Sequence, residues 1–94
     1  INTGEETQKS GISLSDTDQF ISQCINEHNF KIKGLMCIPP LNEDPRRHFN
    51  TLKDIASNHH IKFLSMGMSN DYDIAIQCGA THIRIGTSIF GARN

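Results

Sequence analysis

Residues 64–93, LSMGMSNDYDIAIQCGATHIRIGTSIFGAR, constrain the fold of this chain more than any other segment. Two short β-like runs frame one short helical stretch. Each run ends in small hydroxyl and glycine residues: Ser65-Met66-Gly67-Met68-Ser69 in the first, Gly86-Thr87-Ser88 in the second. Glycine lets a backbone approach an anion closely, and neighbouring N–H groups and hydroxyls supply donors. Two such loops after consecutive parallel strands form the usual phosphate site of a (β/α)8 barrel, on the loops that follow its last two strands. The segment therefore points to a phosphorylated small molecule as ligand, and to a barrel most of which lies outside these 94 residues.

The rest of the chain keeps the same rhythm. Residues 1–11 are polar and read as the tail of a strand entering a loop. Residues 13–29 read as a helix, with Leu14, Ile21, Cys24, Ile25 and His28 on one face and Ser13 or Ser15 as cap. A mostly apolar strand is expected near 32–38, stopped by Pro39-Pro40. Asp44-Pro45 opens a second helix, as N-cap and first helical residue, with Phe49, Leu52, Ile55, Ala56 and His59 turned inward. A third strand is expected near 62–66. A helix over 71–78 follows, capped by Ser69 or Asn70 and ended by Gly79. A last strand near 82–86 leads into a helical turn over 88–92. Strand and helix alternate throughout, which means an α/β fold with a parallel sheet.

Composition narrows the function classes. A net charge of −1 and a pI near 6.5 give no electrostatic case for nucleic acid or an anionic membrane surface. No apolar run approaches the ~20 residues that span a bilayer. No signal peptide is visible, and the chain opens on Ile1 rather than Met, so an upstream portion is expected. Cys24, Cys37 and Cys78 show neither C-x-x-C nor metal-ligand spacing and read as buried free thiols in a reducing cytosol. The five histidines, His28, His48, His59, His60 and His82, pair with no Cys, Asp or Glu at metal spacing, so no metal site is expected.

Three positions stand out chemically. Ser65 is expected at the end of one strand and Gly86-Thr87 at the end of the next, where parallel α/β folds bind ligands. Arg84 interrupts the apolar run Ile83-Arg84-Ile85 and shares a strand face with Gly86. It either meets an anion or a ring acceptor such as a pyridine nitrogen, or lies outward with its stem on aliphatic packing. There is no G-x-S-x-G nucleophile elbow. Lys9, Lys31, Lys33, Lys53 and Lys62 occupy loops, strand edges or helix faces, and none stands alone in an apolar strand as a Schiff-base lysine would.

These motifs resemble a known family. The 64–93 block is similar to the C-terminal signature of the pyridoxal phosphate homeostasis proteins, which are alanine racemase N-terminal-domain-like. Ile1-Asn2-Thr3-Gly4-Glu5-Glu6 with Lys9 and Gly11, and Gly34-Leu35-Met36-Cys37-Ile38-Pro39, resemble two further segments of that family. The resemblance covers the whole chain. It implies a (β/α)8 TIM barrel that holds pyridoxal 5′-phosphate through a Schiff base to a lysine near the start of the full protein, outside this chain. Ser65 then matches the serine on the phosphate, Gly86 and Thr87 the Gly-Thr pair beside it, and Arg84 the arginine facing the pyridine nitrogen.

That resemblance makes residues 1–94 a partial barrel domain, its C-terminal half. It also implies a cytoplasmic, non-catalytic carrier of the cofactor, joined by a separate N-terminal half as partner. A racemase-type subunit given its lysine by another chain, and a non-functional remnant of a split gene, stay open beside it. A half barrel would leave interior-facing side chains, among them Met36, Ile38 and Leu64, without their opposite layer.

Overall fold

The computed structural model describes residues 1–7 and 10–84. The elements run α1 (Leu14–Asn26), β1 (Gly34–Met36), α2 (Pro45–Asn58), β2 (Phe63–Met68), α3 (Tyr72–Gln77) and β3 (His82–Arg84). The three strands form one sheet in the order β1-β2-β3, and both pairings are parallel. The alternation expected from the sequence is therefore present. Its strands are offset, however: β1 and β2 occupy 34–36 and 63–68 rather than 32–38 and 62–66. Residues 85–86 of the expected last strand, and the helical turn expected over 88–92, lie outside the described residues.

The α2 start follows the local chemistry. Asp44 is extended and accepts a hydrogen bond from the Arg46 N–H, and Pro45 occupies the first turn, where its missing N–H costs nothing. The other two caps differ from expectation. Ser13 precedes α1 but makes no side-chain bond to its backbone; its hydroxyl donates to the Asp16 carboxylate, while the Thr17 hydroxyl bonds the Ser13 carbonyl at 2.7 Å. The residue before α3 is Asp71, not Ser69 or Asn70. Its carboxylate reaches back to the Met68 N–H at 2.7 Å and so folds the β2–α3 turn on itself. Gly79 follows the last helical turn at φ +101°, as a glycine in that place should.

Helices cover one face of the sheet. Phe49 and Leu52 of α2 are wholly buried, and Ile21, Cys37, Ala56, Leu64, Met66 and Ala75 complete the core around them. His48 joins this buried face, whereas Ile25 of α1 is exposed and His28, expected on the same helix, lies exposed beyond its end at Asn26. His59 ends α2 half-buried, with Nε2 2.8 Å from the Asp18 carboxylate of α1. Leu64 belongs to this helix-covered layer and not to the opposite one, because residue parity along β2 places 64 and 66 behind the sheet. All three cysteines are buried and free. Burial pushes the Cys37 thiol up to about 11, against the opposing pull of the Thr3 hydroxyl beside it.

Candidate ligand site on the uncovered sheet face

The other face of the sheet carries no helix among the described residues. Strand register fixes what stands on it. Met36, Ser65 and His82 are level with one another across β1, β2 and β3, and Phe63 and Gly34 pair one step away. Side chains at paired positions of parallel strands project to the same side. Met36, Phe63 and Met68 remain 39%, 46% and 38% exposed, although they are large apolar side chains in the middle of the fold. A cavity of about 310 Å³ adjoins this face, where Met36 and Ile38 meet Ile1.

A one-residue bulge in β2 sets the upper part of this face. Ser65 pairs with His82 and Met68 with Arg84, so three steps along β2 match two along β3. The extra residue is Gly67, at φ +104°. A Cβ there would lie 2.6 Å from the Ala75 methyl of α3. Met66 and Gly67 are both buried, and the bulge returns Met68 to the open face, level with Arg84.

Ser65 and Arg84 thus share one face, but Ser65 is not at the end of its strand. It sits in mid-strand, level with the start of β3. From strand spacing and rise its backbone is about 8 Å from that of Arg84. The hydroxyl just beyond the end of β2 is Ser69, one residue past the partner of Arg84. The sequence had offered Ser69 as a helix cap and as the last residue of the Ser65–Ser69 phosphate run, without a site role of its own; the strand's true length puts it just past the strand end. Arg84 is exposed, Ser65 and Ser69 are half-buried, and none of the three side chains has a hydrogen bond or ion pair among the described residues. Gly86 and Thr87 lie outside the described residues. Lys31, Lys33, Lys53 and Lys62 are all exposed, and Lys9 lies outside the described residues.

The loop from β1 to α2 borders the same end of the sheet. Glu43 anchors it by accepting from His48 Nε2 at 2.9 Å and from the Arg47 guanidinium. The His48 hydrogen bond, supported by Arg47, holds the Glu43 carboxyl below its usual value of 4.5. A carboxyl lowered on folding adds stability above its unfolded value, and that stability is lost as the pH falls through the folded one. Urea midpoints of the barrel completed by a family N-terminal portion should therefore drop further between pH 6 and pH 3 with the wild-type sequence than with Glu43→Gln. Equal drops would remove Glu43 from the acid response.

Among the described residues no group of His, Cys, Asp and Glu is placed to hold a metal ion, and no helix is long and apolar enough to cross a membrane. What the open face does offer is a guanidinium, the Ser65 hydroxyl and an apolar floor, with the Ser69 hydroxyl just past the end of β2. Those donors suit an anionic ligand with a flat apolar body.

Comparison with known proteins agrees with the class of fold these elements define. The chain belongs to the family described as alanine racemase, N-terminal domain, whose model matches residues 1–94. It is 37% identical over 102 residues to the pyridoxal phosphate homeostasis protein of Escherichia coli (strain K12), covering 100% of this chain and 44% of the relative. A structure of PipY from Synechococcus elongatus, determined without PLP, matches with a TM-score of 0.79 at 31% identity, over 92% of this chain and 45% of that one. A crystal structure of an unknown protein from Bifidobacterium adolescentis matches with a TM-score of 0.84 at 28% identity, over 96% of this chain and 40% of that one. The chain thus spans less than half the length of each.

Proposed function

We propose that residues 1–94 are the C-terminal half of a (β/α)8 barrel that binds pyridoxal 5′-phosphate and serves its homeostasis in the cytoplasm. The observation that carries this is that Ser65 and Arg84, with no partners among the described residues, share the one sheet face that no described helix covers, with the Ser69 hydroxyl just beyond the end of β2. The names of the relatives support the choice of cofactor. Arg84 faces the pyridine nitrogen, and the hydroxyls with Gly86 and Thr87 hold the phosphate. Of the two serines, Ser69 stands at the rim with the strand ends, and Ser65 one level deeper.

When bound, pyridoxal phosphate supplies an aldehyde that takes up amines and a ring that draws electrons. The residues of this chain supply the rest. Arg84 is a permanent cation, so it cannot accept a proton from the ring nitrogen and does not favour its protonation. That keeps the ring a weak electron sink and suits a carrier better than a catalyst. The lysine must come from the other half of the barrel, since none of the described lysines is turned into the sheet.

The test combines this chain with the N-terminal portion of the Escherichia coli relative. The complex should hold pyridoxal phosphate, and borohydride should fix it to a lysine of the partner portion. Arg84→Ala should weaken binding about tenfold to a hundredfold, as loss of a charge-assisted hydrogen bond does. The Ser65→Ala and Ser69→Ala pair then shows which hydroxyl meets the phosphate. A stoichiometric adduct at one defined lysine of the isolated chain would overturn the division of labour. Alanine racemisation by the complex would move the assignment to the racemase class.

A further inference from the structure

His82 is the one titratable side chain on the described part of the open face besides Arg84, and its ring is held rather than loose. Nδ1 lies 2.9 Å from the Thr81 hydroxyl, and the ring meets Phe63 edge-on at 5.6 Å between centroids. The hydrogen bonds around Thr81 decide which ring nitrogen carries the proton. The Thr81 hydroxyl oxygen already accepts from the Leu64 N–H at 2.8 Å. Its own hydrogen can go to the Leu64 carbonyl at 3.2 Å or to His82 Nδ1 at 2.9 Å. The Leu64 carbonyl is already served by the Thr81 N–H at 3.0 Å, and the Nδ1 contact is shorter. On the shorter contact we assign the hydroxyl's hydrogen to Nδ1, an assignment that leaves the proton of the neutral ring on Nε2. No described residue accepts it.

We propose that His82 is a ligand-positioning residue, whose Nε2–H donates to an acceptor on the ring of the bound cofactor. This rests on the pyridoxal phosphate reading above. His82 stands two residues before Arg84 on the same face and level with Ser65. The surrounding floor is Met36, Phe63 and Met68, none of which can accept a proton firmly. Once the barrel closes over this face, an unpaired N–H there costs free energy, and a ligand acceptor removes that cost. Two donors side by side, Arg84 and His82, select a ring presenting lone pairs: a phenolic oxygen or an unprotonated ring nitrogen. Among the described residues Arg84 is the charged side chain on this face and His82 the neutral donor beside it; the described inward positions of β1 and β2 are Gly34, Met36, Phe63, Ser65 and Met68.

Two measurements test this, and they fail separately from the cofactor reading. Nitrogen-15 NMR of the histidine rings of this chain in the ligand-free complemented barrel at pH 8 should show His82 protonated at Nε2, with that preference lost in Thr81→Val. An Nδ1-protonated His82 ring in the wild-type complemented barrel overturns the proposal whether or not any ligand binds. The second measurement uses 4-deoxypyridoxine 5′-phosphate, which has no aldehyde and binds without a lysine, and inorganic phosphate, which has no ring. In the complemented barrel His82→Phe should weaken deoxypyridoxine phosphate about threefold to tenfold, as loss of one neutral hydrogen bond does, and leave phosphate unchanged. His82→Gln, whose amide N–H can reach the Nε2 place, should recover most of the loss. Equal affinity in His82→Phe and wild type overturns the role of His82 alone. Failure of the wild type to bind deoxypyridoxine phosphate overturns the cofactor reading.

Discussion

Alone in solution, the 94-residue chain should self-associate or unfold, and the N-terminal portion of a family member should rescue it as a soluble complex. The reason is the unfinished face of the sheet. Met36, Phe63 and Met68 together leave enough apolar surface in water to forfeit about 2–4 kcal/mol, taking 1.5–3 kcal/mol for full burial of each and their fractional exposure. A chain of this length has a margin of only about 5–14 kcal/mol even with a finished core. Among the described strands, β1 and β3 each have one side unpaired. Unpaired strand sides recruit other chains. Light scattering and analytical ultracentrifugation of the chain alone should show oligomers or aggregate, and mixing with the N-terminal portion should convert them to a one-to-one complex. A monodisperse monomer that unfolds cooperatively would show that the helix-covered layer suffices.

Gly67→Ala should cost the complemented barrel about 2–4 kcal/mol, far more than Gly79→Ala, although both glycines have nearly the same φ, +104° and +101°. The new Cβ at 67 would lie 2.6 Å from the Ala75 methyl and 3.3 Å from the Tyr72 backbone. At 79 the nearest neighbour is the flexible Lys53 side chain at 3.7 Å. The conformational penalty is common to both, about 1 kcal/mol, and the overpacking of 1–3 kcal/mol falls on Gly67 alone. The bulge also sets where Met68 and Arg84 stand, so Gly67→Ala should weaken ligand binding beyond what lost stability explains. Equal urea midpoints for the two variants would mean that α3 yields freely and the bulge does not fix the site.

The βα order was legible because its signals are local. Asp44-Pro45 starts a helix by its own chemistry, Gly79 ends one, and the mostly apolar runs near 32–38 and 62–66 read as buried strands. The misplaced details depend on partners distant in sequence. Nothing around Ser65 says that β2 continues to Met68, because its continuation needs β3 as a hydrogen-bonding neighbour and Gly67 as a bulge. Leu64 was expected toward the interior because strand parity is invisible until one residue is anchored to a helix. Asp71 displaced Ser69 and Asn70 before α3 by bonding the Met68 N–H, a competition settled by turn geometry. His82 had no signal except its place in an apolar strand, and what distinguishes it comes from Thr81 and from register with Ser65.

The three buried thiols give this protein an internal clock. Burial holds the Cys37 thiol up at about 11 and encloses Cys24 and Cys78 as well, so an alkylating reagent reaches little reactive thiolate until the core opens. Cys24 lies on the buried side of α1, Cys37 just past β1 and Cys78 at the end of α3, so the order in which they are labelled gives the order in which those parts come apart. Ligand entering the opposite face would slow all three, although it touches none of them.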